Sequence, residues 1–164
     1  MQYTESLEDD GGSCYYYEVR MVGTYKTGAN RILFMTRDEL IAFWCSEAER
    51  DFEVMQALFE KSYHTWALFV GHLVLEKFLK ALYVVKVGPE APRSHHLLKL
   101  ARDCGMQPTP RQEEALLEIT TFNLRGRYPD FKLSFHRKAT RTFTQKHLDT
   151  IVELKQWIMS ELPV

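Results

Sequence analysis

Apolar positions repeat every three or four residues over most of this chain, a period that predicts helices. The signal is strongest from Tyr63 to Gly88, where Trp66, Phe69, Val70, Leu73, Val74, Phe78, Leu79, Leu82 and Val85 lay one broad apolar surface along a helix. His72, Glu76, Lys77 and Lys80 interrupt that surface in steps of four and three. Gly88 followed by Pro89 predicts a stop, through a left-handed cap and a residue that cannot continue the helix. This is the expected central helix of a bundle.

The neighbouring segments carry the same period. Thr36-Arg37-Asp38-Glu39 has the spacing of a capping box, and Leu40, Phe43, Trp44, Ala48, Phe52, Met55 and Leu58 or Phe59 continue as a stripe to about Lys61. The few residues around Ser62 make a connection so short that the two helices must be antiparallel neighbours. Beyond the loop Pro89-Glu90-Ala91-Pro92, Ser94 is placed to cap a short helix from His95 to about Cys104, which Gly105 ends. Thr109-Pro110 reads as a cap and first turn for a helix to about Phe122. A loop from Arg125 to about Arg141 follows, and a last helix from Thr142 or Thr144 runs until Pro163 stops it. The expected fold is all-α, an antiparallel up-and-down bundle of about five helices. Ahead of it, Tyr15, Tyr17, Val19 and Met21 alternate with less apolar neighbours before turn residues at Lys26 to Asn30. That reads either as a β-hairpin or as an extension that packs on a partner or is only loosely held. The chain thus divides into an N-terminal extension, residues 1–34, and a bundle, residues 35–164.

Length and composition add limits. At 164 residues, with 45% hydrophobic and 26% charged residues, one domain with a proper core is expected. Charges within the most apolar run argue against a membrane span. The acidic start (Glu5, Glu8, Asp9, Asp10) is unlike a secretory signal. Cys14, Cys45 and Cys104 stand far apart with no paired spacing, so neither a zinc site nor a disulfide framework is read, and a reducing cytoplasm is the expected location. No metal or cofactor is expected.

Charge distribution says more than the net charge of -1. Met1 to Gly12 holds four acidic and no basic residues. Arg125 to Lys146 holds seven basic ones (Arg125, Arg127, Lys132, Arg137, Lys138, Arg141, Lys146) against Asp130 alone. With Tyr128, Phe131, Phe135 and Phe143 interleaved, this run offers phosphate contacts and stacking faces together, a composition suited to single-stranded RNA or a nucleotide. Each residue also has a plainer reading. Arg127 and Asp130 can pair locally around Pro129, His136 can be an ordinary loop histidine, and His147 can face solvent or cap a packing edge. His95 and His96 can order the short helix, and Glu76 with Lys80 can form an i, i+4 pair that stabilises a helix by a few tenths of a kcal/mol, roughly.

Three pieces resemble one family in order: Glu76-Lys77-Phe78-Leu79-Lys80-Ala81-Leu82, His95-His96-Leu97-Leu98-Lys99-Leu100 and Arg127-Tyr128-Pro129-Asp130. Together they are similar to the HEPN domain, over a span from about Thr36 to Leu162. The resemblance implies a helical bundle, commonly a homodimer, associated with nucleotides and RNA. Some members are metal-independent ribonucleases, often the toxin partner of a nucleotidyltransferase-like antitoxin, with an arginine followed by four to six residues and a histidine. Such chemistry suits those types, since histidine moves protons near neutral pH and arginine holds phosphate. Here Arg127 and His136 have eight residues between them, outside that pattern, whereas Arg141 and His147 have five. A ligand surface of Arg125, Tyr128, Asp130, Lys132, Arg137 and Lys138 is expected to face the central helix. By resemblance alone, Glu76 and Lys80 lie near the family's inter-helix groove.

Overall fold

The computed structural model describes residues 35–128 and 131–163, so the expected hairpin, the acidic N-terminal segment and Asp130 lie outside the described residues. Six helices form among them: α1 (Arg37–Glu60), α2 (His64–Lys86), α3 (Leu97–Asp103), α4 (Pro110–Arg127), α5 (Ser134–Lys138) and α6 (Arg141–Met159). Four are long, and three of these, α1, α4 and α6, start on a threonine whose side chain caps the first turn. Thr36 and Glu39 complete the expected capping box of α1, and Thr109 with Gln112 makes a second one at α4, with Pro110 in its first turn.

Side-chain contacts give the directions. The Arg37 guanidinium at the start of α1 reaches the Val84 and Val85 carbonyls at the end of α2. Lys77 meets Asp51 at 2.8 Å near the middle, and Phe59 packs by His64 at the turn, so α1 and α2 are antiparallel. The end of α4 lies on the start of α2, where Gly126 approaches Thr65 and Phe69. Arg111 to Glu153 and Glu118 to His147 run α4 against α6, and Lys155 to Glu49 with Arg141 over Phe59 runs α6 against α1. The long helices therefore go up, down, up and down around α2. This helix supplies the largest share of the core, including Leu68, Val74, Leu75, Phe78, Leu79 and Leu82.

Several local expectations change. Helix α4 continues past Phe122 to Arg127, because its stripe of Leu116, Ile119 and Phe122 is completed by Gly126, which is buried with no side chain to announce it. Part of the expected loop folds as α5, entered from Leu133 in the left-handed region (φ 50) and anchored by buried Phe135. That raises the helix number from about five to six. Gly88 takes no left-handed cap; α2 ends at Lys86, and the Val87 and Gly88 N–H groups both donate to the Tyr83 carbonyl. Gly105 does adopt positive φ (76) after α3. Helix α3 starts at Leu97 instead of His95, because the His96 ring, not Ser94, caps it by accepting from the Lys99 N–H. Among the described residues no helix is long and apolar enough to cross a membrane.

Gly126 marks a close helix crossing. A Cβ there would meet the Phe69 Cβ at 2.8 Å and the Thr65 carbonyl oxygen at 3.0 Å, atoms that move only with the backbone. At Gly71 a Cβ would meet the far ends of Ile151 (2.5 Å) and Met55 (3.0 Å), which can swing away. Both substitutions to alanine gain the same helix propensity, so their difference isolates packing. Gly126→Ala is expected to destabilise the bundle more than Gly71→Ala, by about 1–3 kcal/mol in urea denaturation; equal midpoints would contradict the close approach.

Candidate functional site

The close approach at Gly126 sets the last turn of α4 against α2 and presents its flanking residues. Arg125, exposed, and Tyr128 line a groove with Leu124, Ser134, Phe135 and Lys138, a cavity of about 420 Å³. That volume falls within the range of small-ligand sites, about 300–1,000 Å³. Its chemistry is mixed, with two cations at the rim, an aromatic ring 63% exposed and an apolar floor built by Phe135 against Phe122. Lys138 also lies 4.9 Å from the Phe143 ring centre. Three of the six residues of the expected ligand surface, Arg125, Tyr128 and Lys138, are thus brought together. Lys132 and Arg137 are exposed nearby in the chain without lining the groove.

The arginine and histidine candidates divide. Arg127 turns toward α2: its Nε donates to the Asn123 carbonyl at 2.9 Å, and its guanidinium lies over Phe69 and Tyr128. His136 is exposed on α5. Arg141 opens α6 with its guanidinium 4.7 Å from the Phe59 ring centre on α1. His147 is buried against α4, its Nδ1–H donating to the Phe143 carbonyl at 2.8 Å and its Nε2 3.2 Å from Glu118, between the Phe122 and Phe143 rings. Arg141 and His147 therefore address different neighbours, as six residues of helix dictate.

A second cluster is buried on α2. Glu76 is 4% exposed, Lys80 6% and His72 0%, in successive turns of one helix face. Glu76 Oε1 accepts from Lys80 Nζ at 2.8 Å. Its Oε2 lies 3.1 Å from His72 Nε2 and 2.9 Å from Nδ1 of His95, which arrives from the segment before α3. Lys80 in turn sits 5.3 Å from the centre of a Trp44 ring on α1. Burial alone would push the Glu76 carboxyl up. The hydrogen bond from His72, the charge and hydrogen bond of Lys80 and the hydrogen bond from His95 outweigh it and hold the group down at about 2. The ligand atoms of His72, Glu76 and His95 all lie within 4.8 Å of one another, so these three are the described residues able to hold a metal ion.

A HEPN domain model matches residues 41–161, well over half of the chain. The chain belongs to the HEPN family. The solved structure of TT1696 from Thermus thermophilus is similar to this HEPN protein, with a TM-score of 0.64 at 18% identity, covering 74% of this chain and 98% of that one. At that identity the likeness speaks for the fold. No curated protein matches this HEPN chain.

In the HEPN sequence the i, i+4 spacing pairs Glu76 with Lys80, whereas His72 and His95 were not expected as their partners. His72 stands four residues before Glu76, a spacing visible in the sequence; a histidine, a glutamate and a lysine on one face of an otherwise apolar helix is the signal. His95 gives no such hint: both histidines were expected to order the short helix, and only His96 does so, as its cap. The pH consequence follows from linkage. A carboxyl held at about 2, below its ordinary 4.5, contributes stability above pH 4.5 that is lost as pH falls toward 2. In urea denaturation with a chelator present, the wild type is expected to exceed Glu76→Gln by on the order of 3 kcal/mol at pH 7, and this lead should shrink toward pH 2. A lead independent of pH would contradict the charged, partnered state.

Proposed function

We propose that this HEPN protein binds single-stranded RNA or a nucleotide in the groove between the end of α4 and α5, beside a nucleotidyltransferase-type partner and as a homodimer. The observation that carries the binding reading is the convergence of Arg125, Lys138 and Tyr128 on one apolar-floored cavity. Two cations match phosphates, and an exposed ring offers a stacking face of the kind that holds an unpaired base. Further exposed aromatic and basic side chains, Phe131 and Lys132, continue from the groove along the chain. The homodimer and the nucleotidyltransferase partner are supported by the HEPN membership. A ribonuclease reading has less support, since Arg141 and His147 address different helices.

The test is retention of labelled single-stranded RNA by the purified protein in a chelator, over a salt series. The wild type should bind with a salt-dependent affinity, and Arg125→Ala with Lys138→Ala should lower the logarithmic salt slope by about 0.7 for each phosphate no longer neutralised. Tyr128→Ala should weaken binding by about 1–3 kcal/mol with little change of slope. Arg111→Ala, the same charge removed at the other end of α4, should bind like the wild type. Binding that ignores the groove substitutions would refute the assignment. Cleavage of the RNA, abolished by replacing Arg127 or His136, would move the reading to a nuclease.

A further inference from the structure

We infer that His72, Glu76 and His95 form a binding site for a divalent transition-metal ion of the zinc class, whose fourth ligand comes from outside these three side chains. Two of the ligands stand four residues apart on α2, so their backbone positions are rigid. The third is held through the residues that follow it: His96 caps α3, and the Leu97 N–H donates to Thr120 Oγ1 at 3.2 Å, which fixes the segment carrying His95 against α4. A tetrahedral ion with bonds of about 2.0–2.1 Å needs its ligand atoms roughly 3.3 Å apart. His72 Nε2 and His95 Nδ1 stand 3.1 and 2.9 Å from Glu76 Oε2, and all three ligand atoms lie within 4.8 Å of one another, so the two carboxylate–imidazole spacings are close to that value and the exposed His95 ring is the one that adjusts to close the site.

The donor set selects the class. Two imidazole nitrogens and one carboxylate oxygen suit zinc and its neighbours; calcium and magnesium ask for oxygen, and copper(I) for sulfur. Glu76 would bind through Oε2 alone, because Lys80 occupies Oε1. Each neutral imidazole gives its lone pair to the ion and keeps its proton on the other ring nitrogen. For His72 that nitrogen, Nδ1, is buried without a hydrogen-bond partner among the described residues. The outer shell is incomplete there, and an affinity about 10–100-fold below that of a fully supported site is expected. The ion, Glu76 and Lys80 together carry a net positive charge, which favours an anionic fourth ligand, such as hydroxide or a phosphate oxygen. The exposure of the side chains places its entry: His95 is 34% exposed, whereas His72 is sealed.

The experiment loads the chelator-stripped full chain with cobalt(II) and with zinc, following the visible absorption of tetrahedral cobalt and zinc uptake by equilibrium dialysis. One equivalent per chain is expected, with zinc raising the melting temperature. His95→Ala and Glu76→Gln should each lower affinity at least tenfold, while His136→Ala, on the exposed side of α5, should not. Circular dichroism checks that the variants are folded, and if Glu76→Gln is not, His95→Ala decides alone. No saturable uptake, or uptake unchanged in His95→Ala, would overturn the site. RNA retention in the groove is measured in chelator, so either proposal can fail without the other.

Discussion

An ionised carboxylate enclosed in the middle of the most buried helix is the constraint around which this bundle is arranged. Taking a charge out of water costs several kcal/mol unless partners replace the solvent. Glu76 recruits them from its own helix one turn before and one turn after, and from a third element through His95. Lys80, neutralised by the carboxylate, faces the Trp44 ring on α1. Thus one acidic residue ties α2 to the approach to α3 and, through Lys80, meets α1 at Trp44. The arrangement is demanding: breaking such a network from one side leaves an uncompensated buried charge, worth about 3–5 kcal/mol.

The rest of the α2 surface works by shape. Gly126 lets the end of α4 lie on Thr65 and Phe69, and this crossing determines where Arg125, Arg127 and Tyr128 point. Arg127 turns inward over Phe69, while Arg125 and Tyr128 turn outward to the groove that α5 closes with Phe135 and Lys138. Neighbours in sequence thereby serve different ends, one fastening the crossing and two forming a ligand surface. The buried cluster and the groove share α2 as their support yet use separate side chains.

Much of this was legible from residue spacing. The two capping motifs, the stripe of α2 and the antiparallel turn near Ser62 are local, and local rules govern them. What was not legible depends on contacts across the bundle. Gly126 looks like a loop residue until α2 is seen beside it, so α4 was expected to end too soon. The five residues of α5 are too few to show a period, and what anchors them is Phe135 meeting Phe122. Gly88 could take a left-handed cap by its type, yet the Tyr83 carbonyl already receives the Val87 and Gly88 N–H groups and no such cap forms. For the sites, the basic run with its aromatic residues was visible, but which cations converge was not, because that depends on where α4 ends. His95 reaches Glu76 across nineteen residues of chain, a distance no periodicity spans.

The most direct measurement is an NMR titration of the Glu76 side-chain carboxyl carbon in the folded, chelator-treated protein. Its resonance is expected to stay at the ionised position as pH is lowered through 4.5 and to move only as pH approaches about 2. A midpoint at or above the ordinary carboxyl value would mean that burial outweighs the three partners, and that the centre of this bundle is not organised by a charged glutamate.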